Sequence, residues 1–259
     1  MDILLVGCGK MGGAMLRRWL DAMPARFTAV NRSGRALPPG TEHAAGVDSL
    51  AGRRFDAIII AVKPQQIPDV LPAYTGLLAE NGCYVSIAAG YSAASLAGLV
   101  GEKPIIRIMP NLPALIGRSV NGLYANAACE TGHRELADQL ATTTGTAIWL
   151  DDEDELDRLT AVAGSGPGYV FEITRSYIAA AQALGFSKET ARKLVLETLG
   201  GAIEMATRSD EDVAELRNSV MSKKGTTEAG INALRRDGLL DQLLLDTTRA
   251  AYDRAVELR

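Results

Sequence analysis

Ile3-Leu4-Leu5-Val6-Gly7-Cys8-Gly9-Lys10-Met11-Gly12 begins as a short apolar run and ends in three spaced glycines, followed by Ala14, Met15, Leu16 and Trp19 at helical spacing. A buried strand that turns through glycines into a helix can seat the pyrophosphate of a dinucleotide. Gly7 permits the tight turn, Gly9 lets the phosphates approach the backbone, and Gly12 lets helix and strand pack closely, while the helix N-terminus supplies amide donors. Cys8, Lys10 and Met11 complete this cofactor-binding turn. The glycines alone would suit an ordinary structural turn; their place at the first strand-to-helix junction of a series gives them weight.

The series continues with Phe27 to Val30, Ala57 to Val62, Tyr84 to Ala88 and Ile105 to Met109. These runs are rich in Ile and Val and apolar on both sides, as in strands covered on both faces of a mostly parallel sheet. Leu123 to Ala127 and Ala147 to Leu150 bracket a helix from about Gly132 to Thr143 and would extend the sheet at its edge. Beyond the acidic cluster Asp151 to Asp157 strand patterning stops and Ala, Leu, Glu and Arg dominate. The expected fold is an α/β Rossmann-type N-terminal domain over residues 1–152, followed by an all-α C-terminal domain over residues 153–259.

Within the second half Pro167 marks a helix start, Ser187 an N-cap with Glu189 in its first turn, and Ser209 with Asp212 the spacing of a capping box. Val170 to Leu184 is apolar or small around much of its circumference. Such a helix fits packing against a second copy of the chain, and it fits the centre of a monomeric bundle equally well.

Composition excludes several classes. A net charge of -4 and the lack of a Lys/Arg arm argue against a nucleic-acid partner. Cys8, Cys83 and Cys129 have neither metal-ligand nor disulfide spacing, which suits a reducing cytoplasm, and no metal site is expected. No secretory leader is apparent and no apolar run has the ~18 to 20 residues needed to cross a bilayer. The histidines, His43 and His133, read as surface residues in a loop and at a helix start.

The end of the second strand selects the cofactor. Where an acidic residue would hold free ribose hydroxyls the sequence has Asn31-Arg32-Ser33. Arg32 and its small polar neighbours can donate to a 2′-phosphate, which favours NADPH and leaves NADH a weaker alternative; a solvated turn arginine is the plainer alternative. Ala61-Val62-Lys63-Pro64 ends a buried strand where its backbone would border the nicotinamide-side ribose, with Lys63 near the cofactor and not a catalytic amine. Ala88, Ala89 and Gly90 end the next strand and leave room for a ring.

A substrate must be read from elsewhere. In Ser222-Lys223-Lys224-Gly225-Thr226-Thr227-Glu228-Ala229-Gly230 the amides of Gly225, Thr226 and Thr227 would meet at a helix N-terminus, a seat for a carboxylate. An ordinary Ser/Thr helix cap would have the same sequence.

With Gly7 to Gly12, Ala61 to Pro64, Ser86 to Gly90, Arg107-Ile108-Met109-Pro110-Asn111-Leu112-Pro113, Gly164-Ser165-Gly166-Pro167-Gly168-Tyr169 and Ser222 to Gly230, the chain resembles the pyrroline-5-carboxylate reductase family over essentially its full length. The resemblance implies a helical domain that dimerises by interleaving, often in larger rings, with the substrate between one subunit's nucleotide and the helical region shared with its partner. It also implies that Ser222, Gly225, Thr226 and Thr227 hold the substrate, Thr227 acting as the catalytic donor toward the imine nitrogen. Glu153 and Ser219 stand where relatives line the site. Ser219 replaces a more usual Asn, and Lys223-Lys224 replaces a usual Pro-Gly.

The implied reaction is hydride transfer from NADPH to the cyclic imine L-1-pyrroline-5-carboxylate, giving L-proline. A protonated imine is already electrophilic, so orientation dominates. A related hydroxyacid dehydrogenase would require a catalytic lysine after the second glycine-rich segment, and Lys188 and Lys193 lie in no such motif. A nucleotide-sensing binding protein would bind NADPH without turnover.

Overall fold

The structure is a computed structural model that describes residues 1–31 and 36–258. β1 (Asp2–Val6) leads through the glycine turn into α1 (Lys10–Ala22), and β2 (Arg26–Val30), β3 (Glu42–Ala44) and β4 (Phe55–Ile60) follow. A 3₁₀ turn and the short α2 (Ile67–Val70) precede β5 (Leu78–Ser86), α3 (Ala93–Val100) and β6 (Ile105–Met109). β7 (Ser119–Ala125), α4 (Thr131–Thr142) and β8 (Gly145–Trp149) complete the sheet.

The strand order is β3-β2-β1-β4-β5-β6-β7-β8. All neighbouring strands are parallel except β6 and β7. Alternate residues of the buried strands feed two cores. Ile3, Leu5, Ala57 and Ile59 pack on the side of α1 and α4, with Met15, Trp19 and Leu140, while Leu4, Val6, Ile58 and Ile60 pack with Tyr74, Tyr84 and Leu96 on the other. Two-sided burial of this kind is why the strands read as unbroken apolar runs. Trp19 ties the first side together: its indole N–H donates to Leu140 O at 2.8 Å, and its ring stacks on Phe27.

Several expectations are corrected. Ala61 and Val62 lie just beyond β4, because the chain turns there into the 3₁₀ helix Pro64–Gln66. β5 ends at Ser86, so Ile87 and Ala88 belong to the following loop. His43 lies in the three-residue strand β3, which the sequence analysis did not anticipate, and is exposed there as expected. His133 is half-buried in the first turn of α4, its Nδ1 accepting the Glu130 backbone N–H at 3.0 Å.

The remaining chain is helical: α5 (Glu153–Leu159), a single π turn (Thr160–Gly164), α6 (Gly166–Ala183), α7 (Lys188–Arg208), α8 (Val213–Ser219), α9 (Thr226–Leu234) and α10 (Leu239–Glu257). Ser187 caps α7 by accepting the Thr190 N–H at 3.1 Å. Ser209 is not a helix N-cap. It ends α7, and Asp212 caps α8 by accepting the Ala214 N–H at 2.7 Å. A carboxylate accepts this bond and complements the helix dipole as well, so the start moves to Asp212.

Contacts divide the chain into Met1–Pro167 with the residues from Ala251 onward, and Gly168–Ala250. The second unit has a small core of Ala181, Ala191 and Val195. Large apolar side chains remain outside it, with Phe171 62% and Ile203 67% exposed. A face of this kind marks an interaction surface. Among the described residues, no helix is long and apolar enough to cross a membrane.

Candidate active site

Strand order reverses at β1 and β4, and open α/β sheets bind ligands beyond the carboxyl ends of such a pair. A cavity of about 420 Å³ opens there, lined by Gly7, Cys8, Gly9, Asn31, Ala61, Val62 and Lys63. Lys10 and Met11 border a neighbouring cavity of about 290 Å³ on the other side of the turn. Arg32 and Ser33 lie outside the described residues.

The three glycines differ in what they require. Gly7 has φ +93°, and a Cβ there would stand 2.8 Å from Val62 Cγ1 and 3.0 Å from the Ala61 carbonyl. At Gly12 it would meet Ala61 Cβ and Gly7 O at 3.1 Å. Gly9 has nothing within 4 Å of that position. The protein itself therefore needs glycine at the first position and is tight at the third, while the middle one leaves open space over the backbone. The helix starts without a side-chain cap, and its first internal bond is Gly13 N–H to Gly9 O at 3.0 Å. Donors ahead of that bond and an open Gly9 fit a pyrophosphate.

Lys63 is exposed at the start of the 3₁₀ turn that contains Pro64, and its backbone N–H donates to Gln66 Oε1 at 3.3 Å. In the loop after β5, Ala88 is buried, Ala89 exposed and Gly90 left-handed with φ +67°. At this end of the sheet Glu153 Oε1 accepts two bonds, from the Ala93 N–H at 2.6 Å and from Arg107 Nη1 at 2.7 Å. Arg107, 2% exposed in the middle of β6, was not singled out from the sequence as a site residue. A charge inside a strand read as buried on both faces was the available signal, since such a charge needs a partner.

The segment Arg107 to Pro113 also meets the π turn that ends at Gly164. Asn111 Nδ2 donates to Ala163 O at 2.9 Å, and a Cβ on Gly164 would make a tight contact with the flexible end of Met109, 3.2 Å from Cε. Burial raises the Cys129 thiol and pushes the Cys83 thiol to about 12, so neither offers a thiolate at neutral pH.

The turn after α8 brings Ser222, Gly225, Thr226 and Thr227 together. Gly225 N–H donates to Ser222 O at 2.8 Å, and a Cβ on Gly225 would lie 2.3 Å from Ser222 Oγ. Gly225 is the N-cap of α9 and no side chain caps the helix, so neither threonine is an ordinary cap. The first internal bond is Ala229 N–H to Gly225 O, leaving the amides of Thr226 and Thr227 ahead of it. Ser219, the last residue of α8, donates its hydroxyl to Leu216 O at 2.8 Å.

A family model described as pyrroline-5-carboxylate reductase dimerisation matches residues 153–258, and one described as NADP oxidoreductase, coenzyme F420-dependent, matches residues 2–90. The pyrroline-5-carboxylate reductase of Pseudomonas aeruginosa is 38% identical over 99% of this chain and 96% of its own. The chain belongs to the pyrroline-5-carboxylate reductase family. Among solved structures, the reductase from Coxiella burnetii superposes with a TM-score of 0.89 at 31% identity, covering 99% of this chain and 97% of the other. The Plasmodium falciparum pyrroline carboxylate reductase, solved with NADP bound, gives 0.88 at 26% identity, covering 100% and 98%. The α/β sheet followed by a helical dimerisation region is thus the architecture of this family, whose members are NAD(P)-dependent oxidoreductases.

The glycine geometry makes a paired prediction. Gly7→Ala should lower stability by about 1–3 kcal/mol in urea unfolding, because it forces a strained φ against Val62. Gly9→Ala should leave stability within about 0.5 kcal/mol and weaken dinucleotide binding about tenfold in a fluorescence titration.

Proposed function

We infer that this chain reduces L-1-pyrroline-5-carboxylate to L-proline, drawing the hydride from NADPH and accepting NADH less well. The observation that carries this is a glycine turn closed at Gly7 and Gly12 and open at Gly9, in a chain that matches these reductases from end to end. Bound NADPH supplies the hydride. The cofactor's phosphates rest on the Gly7 to Gly12 turn, including Cys8, Lys10 and Met11. Asn31, Arg32 and Ser33 receive the 2′-phosphate, Ala61 to Pro64 border the second ribose, and Ala88, Ala89 and Gly90 flank the nicotinamide ring.

The substrate carboxylate sits on the open amides of Thr226 and Thr227, beside Ser222 and Gly225, with Glu153 and Ser219 at the margin of the site. As the hydride reaches the ring carbon, the C=N π pair moves onto nitrogen, and the protonated imine becomes a neutral amine. The nitrogen then has a lone pair that the Thr227 hydroxyl can meet. A bond available only as the reaction proceeds raises kcat more than it lowers KM.

Residues 1–152 serve as the nucleotide half and residues 153–259 as the substrate and dimerisation half, working as a homodimer or a ring of dimers in the reducing cytoplasm. The exposed apolar side chains of Phe171 and Ile203 support the assembly. Neither nucleic acid nor a membrane is a partner in this scheme.

Absorbance-monitored oxidation of NADPH on adding pyrroline-5-carboxylate tests the function directly; no turnover with either cofactor would overturn it. Thr227→Val should lower kcat roughly tenfold to a hundredfold and leave NADPH affinity within about twofold. Arg32→Asp should lower the NADPH/NADH ratio of kcat/KM by about tenfold or more, through repulsion of the 2′-phosphate. Phe171→Glu combined with Ile203→Glu should convert the assembly to monomers in sedimentation velocity, since carboxylates cannot be buried unpaired across an apolar contact.

A further inference from the structure

Arg107 occupies the middle of β6, paired in register with Ser86 of β5 and Tyr124 of β7, and its side chain is 2% exposed. Burying a guanidinium there is costly, and a leucine would serve the core better. Its Nε has no hydrogen-bond partner among the described residues, so packing does not account for its presence. What Arg107 does engage is Glu153, and through the same carboxylate oxygen the first amide of α3.

That amide closes the loop from Ile87 to Ser92. The loop is held at its head by Ile87 N–H to Ile60 O at 3.0 Å and by Ala88 N–H to Ser86 Oγ at 3.3 Å. In its middle Gly90 lies against Leu258, whose Cβ and O would be 2.9 and 3.0 Å from an added Cβ. At its tail Ser92 Oγ accepts the Ser95 N–H, and the Ala93 N–H, an otherwise orphan helix-terminal donor, goes to Glu153. A carboxylate at a helix N-terminus, itself held by a buried guanidinium, makes a short charge-assisted anchor.

We propose that Arg107 is a positioning residue for hydride transfer: through Glu153 it fixes the Ala88-Ala89-Gly90 loop against the nicotinamide end of the cofactor. This rests on the assignment of that loop to the nicotinamide ring. Arg107 touches neither cofactor nor substrate. It sets where the ring lies, and transfer over a few ångströms is sensitive to small displacements of the ring.

Two variants break the anchor from different sides. Arg107→Met removes the guanidinium at similar volume. Ala93→Pro removes only the N–H that Glu153 accepts, at the first helical position, where proline is favoured, after Ser92 with φ −69° and ψ 157°, a conformation suited to precede proline. Each should weaken NADPH about tenfold in calorimetry and leave the affinity of 2′-phospho-ADP-ribose, which lacks the nicotinamide, unchanged. The primary isotope effect with NADPH deuterated at C4 should rise in both variants. Equal loss of both ligands, or no loss of either, in Ala93→Pro would overturn the proposal, and Ala93→Pro decides the matter if Arg107→Met does not fold. Absence of pyrroline-5-carboxylate turnover by the wild type would overturn the assigned reaction, while the comparison of the two nucleotides would still decide the role of the anchor.

Discussion

The contact of the Gly7 to Gly12 turn with Ala61 and Val62 is the constraint on which the rest of the nucleotide half depends. Gly7 N–H donates to Val30 O at 3.0 Å and Ala61 N–H to Val6 O at 2.9 Å, so the ends of β2, β1 and β4 converge on one residue with a left-handed backbone. With no side chain at Gly7 or Gly12, α1 can descend close to the sheet. Its first amides then face the mouth of the cavity, and Met15, Leu16 and Trp19 reach the core below. One steric condition thereby sets the strand order's turning point, the angle of the first helix and the place where phosphates can sit.

How much of this was legible in the sequence depended on how local the cause was. The glycine turn and the Ser187 cap are decided by residues a few positions apart, and both were read directly. The antiparallel direction of β7 could have been read as well: the connection from Pro110 to Arg118 is shorter than the roughly a dozen residues that a parallel crossover requires. β3 escaped notice because three residues, two of them exposed, carry no periodicity. The Arg107–Glu153 pair joins residues distant in sequence through the folded sheet, and from the sequence Arg107 is only an interruption in Ile105-Ile106-Arg107-Ile108-Met109.

The two candidate anion seats share a construction. Gly9 and Gly225 are both helix N-caps without a side-chain bond. A Ser or Asp at either position would satisfy its own helix and occupy the amides that a ligand needs. Glycine leaves them open at a modest cost in helix stability, and the helix dipole favours whichever anion arrives. The titration of neighbouring side chains has little part in such a site. Burial keeps Cys83 protonated, pushed up to about 12, and Tyr84 likewise to about 12, so neither is a nucleophile or base near neutral pH.

The second seat also explains how the chain tolerates Lys223-Lys224 where relatives usually carry Pro-Gly. Lys224 keeps a left-handed backbone, φ 62°, a conformation natural to the glycine it replaces and costing a residue with a Cβ about 1 kcal/mol. Glu228, in the first turn of α9, accepts the Lys224 N–H at 2.6 Å, a charge-assisted bond strong enough to offset that cost. Gly225 is retained because Ser222 Oγ fills the space a side chain would take. The two lysines also set the charge of the turn: two exposed ammonium groups flank amides that already favour an anion.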